Sequence, residues 1–193
     1  MNNYEYIIAC LPVIKRDGPG SQAPDADGLI AEIREQCSQK DNALVAFLLD
    51  GFDPDKLDRD FYLKALSHRN PFIRGYFAYD LQLRNTRTMF LNRALGRGES
   101  TDTIVLEGYD ESGQSNPEVT AVLDNPDILE RERGLDELMW EKCEDLTKLS
   151  ILDINVILGF IARLKIVDRW ARLDPRTGRE LFHRLIEEIK KTK

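Results

Sequence analysis

The chain has 193 residues, a formal charge of −7 and three cysteines, Cys10, Cys37 and Cys143, which are far apart in the sequence. A chain of this length can bury an adequate core without disulfides or a structural metal, and the cysteine spacing matches neither a disulfide framework nor a zinc site. The sequence shows no signal segment and no apolar stretch long enough to span a membrane. We therefore expect a cytoplasmic protein that reaches a membrane only through a partner.

Charge is distributed unevenly along the chain. The region Glu99 to Asp145 carries 15 acidic and 3 basic residues, whereas Arg163 to Lys193 carries 10 basic and 5 acidic residues. Because the total is acidic and no cluster of basic and aromatic residues occurs, nucleic acid is not expected as the main partner. The two regions suit contacts with unlike protein surfaces, although a run of charge is more often a solvated face.

The first half of the chain, residues 1–98, predicts a series of helices. Its opening segment, Tyr4 to Ile14, mixes aromatic and β-branched residues with a proline, which fits either a strand or a short helix. A loop follows, and Asp25 or Asp27 is a suitable N-cap for the next helix, which carries Leu29, Ile30 and Ile33. Three more helices are predicted: Asp41 to Asp50, ending at Gly51; Asp55 to Ser67, starting with Asp53 and Pro54; and Pro71 to Arg97.

The second half, residues 127–193, is separated from the first by a long acidic connection, residues 99–126, which fits a functional loop, a linker or a small hairpin. Further helices are predicted from Pro126 to Leu146, from Ser150 to Arg172, and from Asp174 or Thr177 onward. The whole chain, 1–193, is thus expected to form one all-α domain. We predict a multi-helix bundle in which a short strand or hairpin is confined to the N-terminal segment or to residues 99–126.

The helix from Pro71 carries charged residues in the middle of its apolar face. At about 100° per residue, Asp80, Arg84 and Arg87 fall between two rows of apolar side chains. Asp80 and Arg84 can meet across one turn. Arg87 then needs a carboxylate from elsewhere, because a buried charge has to be paired.

Two aspartates on the helix from Ser150 are candidates for that carboxylate. By the same angular count, Asp153 and Asp168 lie on the apolar face of this helix. We therefore predict that Arg84 or Arg87 pairs with Asp153 or Asp168 between two central helices packed against each other. The alternative is that each charge reaches solvent at a helix end, which a long arginine side chain can do and an aspartate cannot.

Motifs for catalysis and cofactor binding are weak. Glycines at 96 and 98 follow a helix instead of opening one, so they resemble a C-cap and not a phosphate loop. Glu180 and His183 have the Glu-x-x-His spacing of di-iron bundles, but the sequence lacks the second such pair. We name no catalytic residue, no metal ligand and no cofactor. The alternative is a small helical, metal-assisted enzyme that uses Glu180, His183 and the acidic residues from Glu137 to Glu144.

Two segments carry a resemblance to a known family. They are Tyr76 to Arg87, which contains Asp80, Arg84, Asn85 and Arg87, and Ile154 to Asp174, which contains Asp168. Together with Tyr6 to Pro12, they resemble an uncharacterised bacterial family of unknown function, DUF2764-like, that is encoded among V-type ATPase subunits. The Asp80 to Arg87 pattern is also distantly similar to the C (or d) subunit of V-type ATPases, an all-helical protein that seats the central rotor stalk on the membrane ring.

The resemblance implies a non-catalytic structural coupling or assembly component of a V-type rotary ATPase or ATP synthase. Its partners would be ATPase subunits, and it would lie at the inner face of the membrane through that complex. It transfers no catalytic residue, so the polar residues are expected to form an interior structural network: Asp80, Arg84, Asn85, Arg87, Asp153 and Asp168. A free-standing scaffold or regulatory protein is the further alternative.

Overall fold

A computed structural model describes residues 4–15 and 25–172. The helices follow one another as α1 (Tyr4–Cys10), α2 (Ala26–Gln36), α3 (Gln39–Asp50), α4 (Arg59–Leu66), α5 (Pro71–Ala94), α6 (Pro117–Leu123), α7 (Ile128–Thr147) and α8 (Ile154–Ala171). Two short 3₁₀ turns, Pro54–Lys56 and Asp110–Gly113, lie between them. No strand occurs among these residues, which confirms the all-α prediction. The strand alternative for the N-terminal segment is wrong, since that segment forms α1, and the hairpin alternative is wrong, since the connection contains a 3₁₀ turn and α6.

Local capping decides where several helices begin. The carboxylates of Asp25 and Asp127 accept backbone N–H groups at the starts of α2 and α7. The helix predicted from Asp55 to Ser67 is divided, because the Asp53 carboxylate caps only the 3₁₀ turn while Asp58 accepts from the Phe61 N–H at 2.7 Å and starts α4. A side-chain oxygen that accepts an unpaired amide makes the helix start at that point.

Gly51 ends α3 for a reason that the sequence did not reveal. Its φ of −70° lies in the right-handed helical region, so it is not the left-handed C-cap that a terminal glycine ordinarily supplies. A Cβ atom at this position would lie 2.2 Å from Cε1 of Phe77, whose ring is fully buried. The glycine is therefore required by the close approach of an aromatic ring.

Two helices organise the core. The long helix α5 packs against α4, α6, α7 and α8, while α8 packs against α1, α2, α3 and α7. The two central helices meet at their N-terminal ends, where Asn70 Nδ2 donates to Asn155 Oδ1 at 2.8 Å. Most of the described side chains that are largest and least exposed come from these two helices: Phe72, Phe77, Ile73, Leu81, Ile157, Leu158, Ile161 and Leu164. The others are Val45 and Leu48 of α3, Tyr62 of α4, and Leu106 of the connection.

Close approach of α7 to both central helices depends on small residues. A Cβ on Gly75 of α5 would lie 2.6 Å from Leu146 Cδ2, and a Cβ on Gly159 of α8 would lie 2.6 Å from Thr147 Cγ2. α7 therefore runs against α5 and α8 at once, and its side chains reach both. Over residues 4–15 and 25–172, none of the helices has the length and apolar content needed to cross a bilayer.

Candidate functional site

A cleft of about 830 Å³ opens between α5, α7 and α8, next to the 3₁₀ turn Pro54–Lys56. Its described lining combines apolar side chains with ten charged ones, in equal numbers of each sign. The acidic ones are Asp80, Asp102, Glu132, Asp136 and Asp168, and the basic ones are Arg84, Arg87, Lys165, Arg169 and Arg172. A cavity of this volume is within the range of sites that bind ligands or peptides.

Asp80 is the most deeply placed carboxylate of the cleft. The whole residue is 8% exposed and its side chain 11%, and its Oδ2 accepts hydrogen bonds from Tyr62 Oη at 2.6 Å and from Arg84 Nε at 2.9 Å. Burial, reinforced by the neighbouring Asp80 charge, raises the pKa of the Tyr62 phenol well above its ordinary value. The phenol therefore remains a proton donor to the carboxylate. The predicted pairing of Asp80 with Arg84 across one turn is confirmed.

The carboxylate that forms an ion pair with Arg87 comes from α7. Arg87 Nη2 lies 2.8 Å from Glu132 Oε1, and Arg169 of α8 lies 3.5 Å from the other oxygen of the same carboxylate. Arg169 also contacts the carboxylate of Asp136. A continuous series of charges thus connects α5, α7 and α8 across the cleft.

The predicted pairing of Arg84 or Arg87 with Asp153 or Asp168 is wrong. Asp153 caps α8, with Oδ1 accepting from the Asn155 N–H at 2.8 Å. Asp168 faces the cleft, but its oxygens contact Lys165 at 3.3 Å and Arg172 at 2.8 Å. The physical reason is the position of α7, which packs against both central helices and places Glu132 within reach of both.

Asp136 is held by a tryptophan as well as by an arginine. Trp170 Nε1 donates to Asp136 Oδ2 at 2.6 Å, and the Trp170 ring stacks against the guanidinium groups of Arg133 and Arg169. Burial raises the pKa of the Asp136 carboxyl, and the charge of Arg169 together with the Trp170 hydrogen bond opposes that rise only in part. This site therefore retains part of the cost of burying a carboxylate.

Asn85 anchors the long connection and takes no part in the ion pairs. It is 3% exposed, and its Nδ2 donates to the carbonyl oxygens of Ile104 at 2.8 Å and Ser112 at 2.7 Å. Its Oδ1 accepts from the Ile104 N–H at 3.0 Å. A buried side chain that satisfies three main-chain groups fixes the path of the connection against α5.

Three further polar residues of α5 continue this anchorage, and the sequence analysis missed them. Asn92 Nδ2 donates to the carbonyls of Glu99 and Thr101, and Thr86 Oγ1 accepts from the N–H of Asn116 at 2.9 Å. Gln82 Oε1 accepts from Asn116 Nδ2 at 3.0 Å. The sequence contains one indication of this anchorage. Asn85 and Asn92 are seven residues apart and therefore lie on one face of the helix.

The residues of the enzyme alternative are only partly described. Glu180 and His183 lie outside the described residues. Among the acidic residues of α7, Glu144 accepts from Trp140 Nε1 at 2.7 Å and lies 3.6 Å from Arg163. Within residues 4–15 and 25–172, no three histidine, cysteine, aspartate or glutamate side chains are grouped to hold a metal ion.

Comparison with protein families gives one match, to a family described as a protein of unknown function, DUF2764, over residues 52–193. The chain belongs to the DUF2764 family. The matched region contains α5, α7 and α8, and so the helices that form the charged cleft. Neither the curated proteins nor the solved structures yield a match. Membership of DUF2764 is thereby established, whereas association with a V-type ATPase stays a prediction.

Proposed function

We propose that this DUF2764 protein is a non-catalytic structural coupling or assembly component of a V-type rotary ATPase, similar in role to the C (or d) subunit. One observation carries the proposal. The segments of α5 and α8 that carry the family resemblance line the same cleft, together with α7. The two segments that carry the family resemblance thus contribute to one continuous surface, the lining of the cleft.

The ion pairs of the cleft support a structural role. Glu132 contacts arginines from α5 and α8, and Asp136 holds both Arg169 and Trp170. These charges are used mainly to connect helices, which favours a fixed relative position of the three helices over a reactive centre. A rigid body with this property suits a component that transmits or maintains alignment between subunits.

Affinity purification of the tagged full chain from its native host, under conditions that preserve membrane complexes, tests the proposal. We expect V-type ATPase subunits to co-purify in a constant ratio. A strain lacking the protein should assemble less intact ATPase on its membranes. Recovery of the protein alone, from cells whose ATPase is intact, would overturn the proposal.

A further inference from the structure

The cations and carboxylates of the cleft differ in exposure. The arginine side chains are exposed: Arg84, Arg87 and Arg169 at 47% each, and Arg172 at 62%. The carboxylates that they contact within the cleft are largely covered: Asp80 at 11%, Asp168 at 12%, Asp136 at 18% and Glu132 at 28%. Although the formal charges of the lining are equal in number, most of its exposed charged side chains are arginines, and Asp102 is the exposed carboxylate of the described lining.

The arginines retain N–H groups that the fold does not use. Arg84 contacts Asp80 through Nε, and among the described residues its two Nη atoms have no hydrogen-bond partner. Arg87 contacts Glu132 through one of its Nη atoms. A guanidinium group carries five donors in a planar arrangement that matches a carboxylate. The cleft can therefore bind an anionic group without breaking its own ion pairs.

An apolar rim continues from this cationic surface. The helices α5 and α7 are antiparallel, since Gly75 faces Leu146 and Arg87 pairs with Glu132. One turn beyond that pair, Leu91 lies in the cleft lining at 50% exposure, and Ile128 on α7 is 73% exposed. Exposed aliphatic side chains beside unused arginine donors favour an occupant that is both apolar and acidic.

We propose that the cleft binds an acidic amphipathic segment of a partner protein. Carboxylates of the segment contact Arg84, Arg87 and Arg172, and its apolar side chains pack on Leu91 and Ile128. A peptide suits the cleft better than a small anion because the arginines are spread between α5 and the C-terminal end of α8 and are continuous with the apolar rim. The inference specifies the partner chemistry of the proposed function and rests on it to that extent.

A synthetic peptide tests the cleft without the ATPase. The probe is a fluorescein-labelled helix of about five turns with glutamate on one face and leucine on the other, and binding to the full chain is followed by fluorescence anisotropy. We expect saturable binding that weakens as salt is raised. A peptide with lysine in place of glutamate should not bind.

Two double variants with the same change in charge locate the site. The double variant Arg87→Gln, Arg172→Gln should raise the Kd for the glutamate–leucine peptide by about tenfold or more, because each substitution removes an exposed cation from the contact surface. Arg34→Gln with Arg93→Gln is the control, since both arginines are exposed and bonded to a neighbouring side chain but lie outside the cleft lining. Circular dichroism on each variant confirms that it is folded.

The peptide experiment and the co-purification experiment test the cleft and the ATPase assignment separately. An equal loss of peptide binding in both double variants would indicate non-specific electrostatics and would overturn the inference. Binding of tripolyphosphate at the arginines without binding of the peptide would identify a small-anion site and would also overturn it. Arginine-dependent peptide binding, together with failure to co-purify ATPase subunits, would uphold the cleft and overturn the ATPase assignment.

Discussion

Arg87 of α5 and Glu132 of α7 form an ion pair of 2.8 Å, and Arg169 of α8 approaches the same carboxylate at 3.5 Å. One glutamate on the middle helix thus contacts both of its neighbours. The pair is partly exposed, with side-chain exposures of 47% and 28%, so its energy is expected to be modest although it belongs to a network.

A double-mutant cycle of Arg87→Gln and Glu132→Gln should give a coupling energy of about 0.5–1 kcal/mol at low salt. Glu132→Gln should destabilise more than Arg87→Gln, because it also removes the contact with Arg169. Urea unfolding of the four proteins measures both effects. The Arg93–Glu99 pair, which is more exposed, is the matched control and should couple less. Zero coupling between Arg87 and Glu132 would contradict the role given to this pair.

Asn85→Ala should lower the free energy of unfolding by about 2–4 kcal/mol, because two carbonyl groups and one N–H group lose a buried partner. Amide hydrogen exchange should accelerate in residues 99–116, most clearly at the Ile104 N–H. Thr88→Ala serves as the control, since the Thr88 hydroxyl bonds only to the exposed carbonyl of Arg84. Unchanged protection of Ile104 would show that the connection is held by other contacts.

Gly51→Ala should destabilise the protein by about 1–3 kcal/mol, because the added methyl group overlaps the buried Phe77 ring. Gly113→Ala is the matched control: its Cβ would meet Val105 Cγ1 at 3.6 Å, an ordinary contact distance. Thermal unfolding compares the two variants with the parent protein. A Gly51→Ala protein as stable as the parent would show that the ring shifts at little cost.

The buried Asp136 carboxyl should make the free energy of unfolding decrease as pH rises. Burial raises the pKa of Asp136, so the folded state binds this proton more tightly than the unfolded chain does. The resulting stabilisation is fully present below the unfolded pKa and is lost as pH rises through the folded pKa. Relative to Asp136→Asn, the parent protein should therefore lose stability on going from about pH 4 upward.

Two measurements check this prediction. Urea unfolding of both proteins at a series of pH values gives the difference in stability. A carboxyl-detected NMR titration of Asp136 gives its pKa directly. Asp124→Asn, at an exposed aspartate outside the cleft lining, reproduces the loss of one charge. A carboxyl that titrates at or below the ordinary aspartate value would contradict the burial argument.

The three thiols should react with Ellman's reagent in a defined order. Cys10 is exposed and should react first, whereas Cys143 is fully buried and its pKa is raised to about 12 by that burial. Cys37 is half-buried with a raised pKa and should be intermediate. Cys143 should react at the rate of global unfolding. Cys10→Ser should remove the fast phase, and modification of Cys143 without unfolding would contradict its position in the core.

The helical architecture follows from the periodicity of apolar residues and from capping residues. Both act locally and can therefore be recognised in a sequence. Asp25 at the start of α2 is an example, as is Asp80 with Arg84 one turn apart. The partner of Arg87 could not be predicted in this way. An angular count shows on which face of its own helix a charged residue lies, but not which other helix packs against that face. Glu132 belongs to an acidic run that is ordinarily a solvated surface, and only the close packing of α7 makes it an interhelical residue.

The cleft was even less accessible to sequence reasoning. Its formal charges balance, so no count of charged residues reveals that the carboxylates paired within the cleft are covered while their arginine partners are exposed. The family resemblance predicts Asn85 as a member of the interior polar network. Its actual partners are main-chain groups of residues 19 and 27 positions away, and such partners leave no trace in residue type.

The anchorage of the connection has an evolutionary consequence. Asn85 and Asn92 donate to main-chain carbonyls of Glu99, Thr101, Ile104 and Ser112, and a carbonyl oxygen is the same whatever side chain its residue bears. Amino-acid replacement along this stretch leaves the anchors intact, whereas a deletion or insertion between them moves the carbonyls out of reach. Leu106, which is 2% exposed, should stay apolar in members of the family. The other residues from 99 to 109 should vary, while the number of residues between the anchors stays constant.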